Sequence, residues 1–288
     1  MYDCIIVGTG PAGFSCALNL KIHNRQFLWF GNGQMSDKVQ KTPHVDNYPA
    51  LPGITGRGLF EAFDAHRQQM EIAITEKQVT NIMPAGDHYM VLADNEVYEA
   101  RTVALCVGAA NAAPLRGEEE FLGRGVSYCA TCDGNFYKGK KIAVYANAPK
   151  FEHEVEFLAD LAESVDFYPA YPEPGVVREN VHVSTDYPVE IKGELKACEV
   201  TLKSGESREV DGVFLLRNAI APAIMLKNLV VENGHIVVNR KQETNLPGCY
   251  AAGDCTGRPY QYAKAVGEGN VAAHEIIEYL AEADKKEK

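Results

Sequence analysis

The feature that most constrains the fold is a glycine-rich run near the start of the chain, Gly8-Thr9-Gly10-Pro11-Ala12-Gly13. An apolar stretch at residues 5–7 precedes this run, and a helix is predicted after it, from position 11 to about position 24. A second apolar stretch follows at residues 27–30. This succession is the βαβ unit with which a doubly wound parallel sheet begins. We therefore expect an α/β fold.

The glycine positions predict a site for the phosphates of a dinucleotide. Gly8 permits the tight turn, Gly10 lets the backbone approach a pyrophosphate, and Gly13 lets helix and strand pack closely. The free N–H groups at the helix start would then bind the phosphates. The usual acidic ribose ligand is missing at the end of the second strand, where the chain has Phe30-Gly31-Asn32. The run therefore indicates phosphate binding without indicating a ribose ligand.

The order of predicted elements repeats in the middle of the chain. In both places a strand, a helix and a second strand are followed by a hairpin and a third strand. In the first part, the hairpin and the third strand lie at residues 89–100 and 103–107. The second set occupies residues 141–145, 151–161, 165–168, the surroundings of 204–205, and 212–216.

This repetition predicts two Rossmann-like, three-layer domains. The last segment carries another glycine-rich motif and a helix over about residues 267–282, and we expect it to return to the first domain. The first domain would then be discontinuous, comprising residues 1–112 and 244–288. The central domain would comprise residues 113–243.

Cys129 and Cys132 are the clearest indication of chemistry. They lie in the run Tyr128-Cys129-Ala130-Thr131-Cys132-Asp133-Gly134. Two thiols at this spacing can close into a small, reducible disulfide, and the adjacent Asp133 carboxylate can manage the proton that such chemistry needs. A structural disulfide or a vestigial pair is the alternative. The remaining cysteines are scattered singly, without zinc-ligand or disulfide-scaffold spacing, at positions 4, 16, 106, 198, 249 and 255.

Composition narrows the possible partners. The net charge of −11 disfavours non-specific binding to nucleic acid or to an anionic membrane. No apolar stretch reaches the roughly 18 residues that a membrane helix needs. The first residues are predicted to form a strand, and they do not resemble a signal peptide. The eight histidines show no metal spacing. We therefore expect a cytoplasmic protein with no metal, nucleic-acid or membrane partner.

Taken together, four segments resemble the low-molecular-weight thioredoxin reductase family. They are the glycine run, the Cys129 to Gly134 run, Tyr250-Ala251-Ala252-Gly253-Asp254-Cys255 and Val45-Asp46-Asn47-Tyr48-Pro49. The resemblance covers essentially the whole chain. It implies the class II pyridine nucleotide-disulfide oxidoreductase fold, a homodimer, FAD at the first site and thioredoxin as substrate. It also implies that Cys132 faces the flavin, that Cys129 attacks the thioredoxin disulfide, and that Asp133 protonates the departing thiolate.

The resemblance also implies which residues contact FAD. Asp254 would lie close to the pyrophosphate and ribitol, and Asn47 near the ring. In the stretch Tyr260-Gln261-Tyr262-Ala263, where the family usually has Arg-Gln-Ala, Tyr262 replaces the glutamine, so an aromatic ring is expected near the isoalloxazine. The full predicted set is Gly8, Gly10, Pro11, Ala12, Gly13, Phe30, Gly31, Gly33, Gln34, Asn47, Gly253, Asp254, Gln261, Tyr262 and Ala263.

The second nucleotide site of that family, which binds NADPH, has lost its glycines in this chain. Ala146, Ala148 and Phe151 stand at the glycine positions. A Cβ at Ala148 would take the place where a pyrophosphate touches backbone, and Phe151 would force the helix and strand apart. Three negative charges that would repel a phosphate follow on the predicted helix, at Glu152, Glu154 and Glu156.

Two further positions agree with this loss. NADP-specific sites usually hold the 2′-phosphate with arginines after the next strand, but residues 168–174 contain no basic residue. Arg217-Asn218 occupies the strand end where the family has a glycine beside the nicotinamide. We therefore expect no NADPH as cofactor.

Without NADPH, the electrons need another source. The chain resembles ferredoxin-dependent flavin thioredoxin reductases, which keep FAD and the cysteine pair but lack pyridine-nucleotide signatures, and a ferredoxin or flavodoxin is the expected donor. Because ferredoxins are acidic, the docking patch should be locally basic, although ordinary surface charge is the alternative for each candidate. Two other functions stay open: an NAD(P)H-dependent disulfide reductase with an atypical site, and a non-enzymatic redox-sensing flavoprotein. The candidate docking residues are Lys138, Lys140, Lys141, Arg116, Arg124, Arg57, Arg67, Arg258 and Lys264.

Overall fold

The structure is a computed structural model that describes residues 1–33, 37–40, 42–109, 114–176, 178–217 and 220–286. In these ranges the strands, β1 to β17 in chain order, are Tyr2–Val7, Phe27–Gly31, Thr75–Glu76, Val79–Ala85, His88–Ala93, Glu96–Leu105, Val126–Ser127, Lys141–Ala146, Ser164–Pro169, Val181–Val183, Pro188–Gly193, Ala197–Leu202, Ser207–Glu209, Gly212–Leu216, Val231–Glu232, His235–Ile236 and Cys249–Ala251. The α-helices, α1 to α8, are Pro11–Ile22, Asp37–Gln40, Gly56–Gln69, Glu118–Phe121, Ala130–Asp133, Glu152–Leu161, Pro222–Met225 and Tyr262–Lys286. The 3₁₀ turns are Gly134–Tyr137, Pro149–Phe151 and Asp254–Thr256.

The chain divides into two compact units. The first comprises Met1–Asn111 and Ala221–Lys288, and the second comprises Ala112–Ile220. Both contain a sheet with a parallel layer on which α-helices pack, so the predicted α/β fold with two Rossmann-like domains, one of them discontinuous, is confirmed. The second segment of the first unit begins at Ala221, before the expected Thr244. Helix α7 packs on β4, and Leu226 bridges to Ile82 in the first unit.

The first unit is built on a seven-stranded sheet. Its order is β3-β2-β1-β6-β5-β4, with β17 also paired to β6. Strand β1 is central and runs parallel to both neighbours, so that Ile6 faces Trp29 on one side and Ala104 on the other. The second arm of the predicted hairpin and the predicted third strand form one continuous strand, β6. This strand pairs antiparallel with β5 and parallel with β1. A single ten-residue strand therefore links the meander to the parallel layer.

Helices α1 and α8 cover the first sheet and close its core. Leu20 of α1 and Ile276 of α8 are fully buried in the same apolar cluster as Trp29. A Cβ at Gly269 would overlap the carbonyl oxygen of Ala12, so glycine at this position lets the two helices approach closely. This contact fixes α1, and with it the glycine-rich turn.

The second unit is built on a five-stranded parallel sheet in the order β10-β9-β8-β14-β7. Helix α6 packs on this sheet through Val155 and Leu158, which are fully buried with Ile142 and Phe167. An antiparallel sheet of β11, β12 and β13 belongs to the same unit. Strand β7 is only two residues long and lies at the sheet edge, where it delivers the chain to the cysteine pair.

Candidate active site

The cysteine pair forms a disulfide at the start of helix α5. Cys129 and Cys132 are joined, with their Cα atoms 5.3 Å apart. The Cys132 N–H donates to the Cys129 sulfur at 3.2 Å, which caps the helix. The Cys129 N–H donates to Ser127 Oγ at 3.1 Å, so the residue before the helix is held as well. Both cysteines are partly exposed, whereas Ala130 between them is fully buried. The backbone is therefore fixed while the sulfurs keep access to solvent.

Asp133 ends the same helical turn. Its N–H donates to the Cys129 carbonyl at 3.3 Å, and its side chain is partly exposed. The turn rests on α6, because a Cβ at Gly134 would lie only 3.1 Å from Phe157 and Leu158. The structure therefore brings Cys129, Cys132 and Asp133 together in one short, supported segment.

The glycine-rich turn of the first unit has the shape that its sequence predicts. Gly8 has φ +109°, and a Cβ there would overlap the Cys106 carbonyl. A Cβ at Gly13 would overlap the Gly8 carbonyl oxygen, which also accepts the Trp29 indole N–H at 2.8 Å. At Gly10, by contrast, a Cβ would meet nothing within 4 Å. Open space therefore lies beside the backbone at the start of α1, where a pyrophosphate would approach.

The turn after β2 reveals an acidic side chain that the sequence did not indicate. A Cβ at Gly31 would overlap Thr9, so this end of the strand lies against the glycine run. A Cβ at Gly33 would lie 2.6 Å from a carboxylate oxygen of Glu76. Glu76 ends β3, which pairs in parallel with β2. Residues 30–32 at the end of β2 contain no acidic side chain, but the neighbouring strand β3 places the Glu76 carboxylate beside this turn.

The second glycine motif is clamped by two residues of α8. The Gly253 N–H donates to Glu268 at 2.8 Å, and the Lys264 ammonium donates to the Gly253 and Gly257 carbonyls at 2.9 and 2.8 Å. Gly253 has φ +93°, and a Cβ there would lie 3.0 Å from that of Ala12. The loop carrying Asp254 is therefore joined to the start of α1.

The remaining described residues that are predicted to contact FAD lie at several places in the first unit. The Tyr262 hydroxyl lies 2.6 Å from Thr42 Oγ1, while Gln261 is exposed and Ala263 partly buried. Asn47 is exposed in a loop closed by the pairing of Val45 with Ile54. Phe30 is fully buried, and Pro11 and Ala12 open α1. Gln34 lies outside the described residues.

Cys255, which lies inside the cofactor motif, has a structural environment. It is buried, and its thiol donates to the Leu105 and Ala252 carbonyls, each at 3.3 Å. Burial raises the pKa of this thiol to about 12. It therefore stays protonated at neutral pH and differs from the Cys129–Cys132 pair.

In the second unit, the chain's own side chains lie at the place that corresponds to the glycine-rich turn. Ala146 and Phe151 are buried in the core. Glu152, the first residue of α6, accepts hydrogen bonds from the Tyr171 hydroxyl at 3.0 Å and the Gly175 N–H at 2.9 Å. Glu156 forms an ion pair with Arg178 at 3.5 Å. The segment after β9 is thus attached to the start of the helix.

The predicted docking cations fall into two groups. Lys264 is held by the Gly253 loop, and Arg67 is paired with Asp64 at 2.7 Å and bonded to the Ile72 carbonyl at 2.8 Å. Lys138, Lys140 and Lys141 are exposed. Arg57 and Arg116 are also exposed, with carboxylate partners in Glu61 and Glu190, while Arg124 and Arg258 lie over the rings of Phe121 and Tyr260.

Two further properties concern the described residues as a whole. None of their helices is both long and apolar enough to cross a membrane. They contain no group of three or more His, Cys, Asp or Glu side chains that could hold a metal ion.

Comparison with known families agrees with this arrangement. The model of the pyridine nucleotide-disulphide oxidoreductase family matches residues 2–146 and 175–269, which together make up most of the chain. The chain belongs to this family.

Thioredoxin reductases are among the relatives of this chain. The thioredoxin reductase of Bacillus subtilis is 30% identical over 98% of this chain and 96% of its own length. Two crystal structures of a ferredoxin-flavin thioredoxin reductase from Clostridium acetobutylicum also resemble this chain. Each match covers 98% of this chain and 98% of the clostridial chain. One is 44% identical with a TM-score of 0.85, and the other is 35% identical with a TM-score of 0.90. The activity these comparisons support is that of a thioredoxin reductase, an oxidoreductase.

Proposed function

We propose that the protein is a ferredoxin-dependent thioredoxin reductase. Reduced ferredoxin, or a flavodoxin, is the electron donor, FAD is the cofactor, and the Cys129–Cys132 dithiol reduces thioredoxin. The two clostridial structures that resemble this chain are those of a ferredoxin-flavin thioredoxin reductase, which supports the proposal. We further propose that the enzyme is a cytoplasmic homodimer, as its sequence resemblance implies.

The observation that carries the proposal is the contrast between an open phosphate cradle and an internally bonded one. At Gly10 the start of α1 has open space, and the first turn of that helix carries no acidic residue. At Glu152 the start of α6 carries a carboxylate that already accepts two hydrogen bonds from the chain itself. A dinucleotide phosphate would have to displace those bonds and lie against a negative charge. This arrangement supports electron delivery without NADPH.

The residues of the first unit fit FAD. The start of α1, with Gly10, would hold the pyrophosphate, and the clamped Asp254 loop would lie beside it. Glu76 would supply the carboxylate that the end of β2 lacks, at the ribose, and Asn47 and Tyr262 would lie toward the ring. Bound FAD would supply a centre that accepts electrons singly and donates them in pairs.

The cysteine pair then carries out thiol–disulfide exchange. The Cys129 thiolate attacks one sulfur of the thioredoxin disulfide, which forms a mixed disulfide and releases the other thioredoxin sulfur as a thiolate. Asp133 protonates that thiolate. Cys132 next attacks Cys129, which restores the Cys129–Cys132 disulfide and releases the second thioredoxin thiol. Two electrons and two protons leave the enzyme in each cycle.

Three exposed lysines in the unit that carries the cysteine pair fit an acidic protein partner. Lys138, Lys140 and Lys141 come after helix α5 and its 3₁₀ turn in the chain, and all three are exposed. Positive charge there would steer an acidic partner toward the disulfide. Lys264 and Arg67 do not suit this role, because their side chains hold the protein's own backbone.

Anaerobic titration of the purified flavoprotein tests the proposal. We expect NADPH and NADH to leave the flavin absorbance near 450 nm unchanged, reduced ferredoxin to bleach it, and oxidised thioredoxin to restore it. Fast bleaching by NADPH would instead support a pyridine-nucleotide reductase with an atypical site. Bleaching by ferredoxin without reoxidation by thioredoxin, together with a disulfide that stays intact, would support a redox-sensing flavoprotein.

A further inference from the structure

The second unit contains a buried polar network that includes Tyr128, the residue before the redox disulfide. Glu118 at the start of α4 is 1% exposed, and Arg217, which follows β14, is 7% exposed. The Arg217 guanidinium donates to both Glu118 oxygens, at 2.9 and 3.0 Å. The Tyr128 hydroxyl donates to Glu118 at 2.7 Å, and the Leu115 N–H does so at 2.6 Å. One carboxylate therefore accepts four hydrogen bonds from three groups.

The network lies at one end of the parallel sheet. Strand β7 pairs with β14 so that Ser127 faces Phe214. Tyr128 is the residue after β7, and Arg217 is the residue after β14, so both leave the sheet at the carboxyl ends of neighbouring strands. The Arg217 guanidinium also stacks 5.2 Å from the ring centroid of Tyr145 on β8. The anchor for Tyr128 is thus built on two central strands.

Tyr128 links the Glu118–Arg217 pair to the redox disulfide along the chain. It directly precedes Cys129, and it is 7% exposed. Burial raises the pKa of its phenol, and the Glu118 carboxylate raises it further, so the hydroxyl keeps its proton and donates to Glu118. The side chain before the disulfide is therefore held by a charge-assisted hydrogen bond inside the protein.

We propose that Glu118, Arg217 and Tyr128 are positioning residues that hold Cys129 where it closes readily onto Cys132, and so stabilise the disulfide relative to the dithiol. A side chain locked by a second layer of hydrogen bonds limits the movement of its neighbour. With Cys129 held, the two sulfurs of the dithiol stay close, and less conformational freedom is lost when the bond forms. The inference deepens the proposed function, since it concerns the same cysteine pair.

The test is the equilibrium of the pair with glutathione, in which the protein disulfide and two glutathione thiols give the protein dithiol and one glutathione disulfide. For Tyr128→Phe, which removes only the hydroxyl, we expect the equilibrium constant for reduction to rise three- to tenfold. A tenfold change corresponds to ~30 mV. We expect Arg217→Lys, which keeps the charge but replaces the planar guanidinium, to move the equilibrium in the same direction.

Tyr171→Phe is the matched control, because it removes another Tyr–Glu hydrogen bond in the same unit, the one to Glu152. It should leave the glutathione equilibrium within twofold of the wild-type value. If Tyr128→Phe and Arg217→Lys also stay within twofold, or if the control shifts as much as they do, the inference is wrong. Because glutathione replaces ferredoxin and thioredoxin, these outcomes are separate from the failure of the proposed electron path.

Discussion

The two units repeat one chain order, yet the first turn of the corresponding helix differs between them. In the first unit, Gly8 and Gly13 allow the backbone to fold tightly, and open space remains at Gly10. In the second unit, Ala146 and Phe151 at the corresponding positions are buried in the core. The same architecture thus supports a cradle in one place and continuous packing in the other.

Under the proposed function, this difference means that a nucleotide site is lost while its fold is retained. The parallel strands β8, β9 and β14 keep their registers without a glycine turn. The segment after β9 is fixed by Glu152, Tyr171 and the buried Val176. Internal contacts therefore hold the start of α6 and the segment after β9 together in the unit that carries the cysteine pair.

The largest effect is expected when a side chain is introduced on the packed side of the glycine-rich turn. In Gly13→Ala the new methyl would overlap the Gly8 carbonyl oxygen, so helix α1 would have to move from the strand. We expect bound flavin, measured as the 450 nm to 280 nm absorbance ratio after desalting, to fall at least tenfold. Thermal stability should fall with it, because bound cofactor stabilises the folded state.

Gly10→Ala is the matched control for this substitution. Its methyl would meet nothing within 4 Å of the protein, and its φ of −80° suits alanine. We expect apoprotein stability close to that of the wild type, but weaker FAD binding, because the methyl would lie in the pyrophosphate space. If Gly10→Ala and Gly13→Ala lower the stability of the apoprotein equally, the contrast between a packed position at Gly13 and an open position at Gly10 is wrong.

A smaller effect is expected from the reverse change in the second unit. Phe151 is 4% exposed and belongs to the core beneath α6. Phe151→Ala should lower the free energy of unfolding by about 3–5 kcal/mol through loss of burial and the cavity left behind. Urea denaturation would measure this. We expect NADPH to remain without effect on the flavin spectrum, since Glu152 and its partners stay in place. NADPH-dependent bleaching in this variant would mean that Phe151 alone blocks the second site.

Much of this contrast could be predicted from the sequence because it depends on local sterics. A glycine whose Cβ would strike the adjacent backbone, such as Gly13, marks its turn by itself. The roles of Glu76 and of the Glu118–Arg217 pair could not be predicted in this way. They arise from strand pairings and from a contact across 99 residues that no local pattern encodes. The backbone partners of Lys264 could not be predicted either, because they lie beside its ammonium only in the folded Gly253 loop. From the sequence alone, Lys264 is therefore a candidate docking cation.

The thiols give a second contrast between the units and the smallest expected effect. The five cysteines of the first unit are buried, at positions 4, 16, 106, 249 and 255, whereas Cys198 in the second unit is exposed. Burial raises the pKa values of Cys4 and Cys249 to about 12, and it raises those of Cys16 and Cys106 as well. Since the thiolate is the nucleophile, these buried groups should be unreactive at pH 8.

Mass spectrometry after iodoacetamide treatment at pH 8 would count the reactive thiols. We expect one label, on Cys198, in the oxidised protein, and labels also on Cys129 and Cys132 after mild reduction. Urea-denatured, reduced protein should take eight labels, one for each cysteine of the chain. Labelling of Cys106 or Cys255 in the folded protein would contradict the contrast, because those thiols flank the glycine turn and the Asp254 loop. Their protection would restrict thiol chemistry to the unit that carries the redox pair.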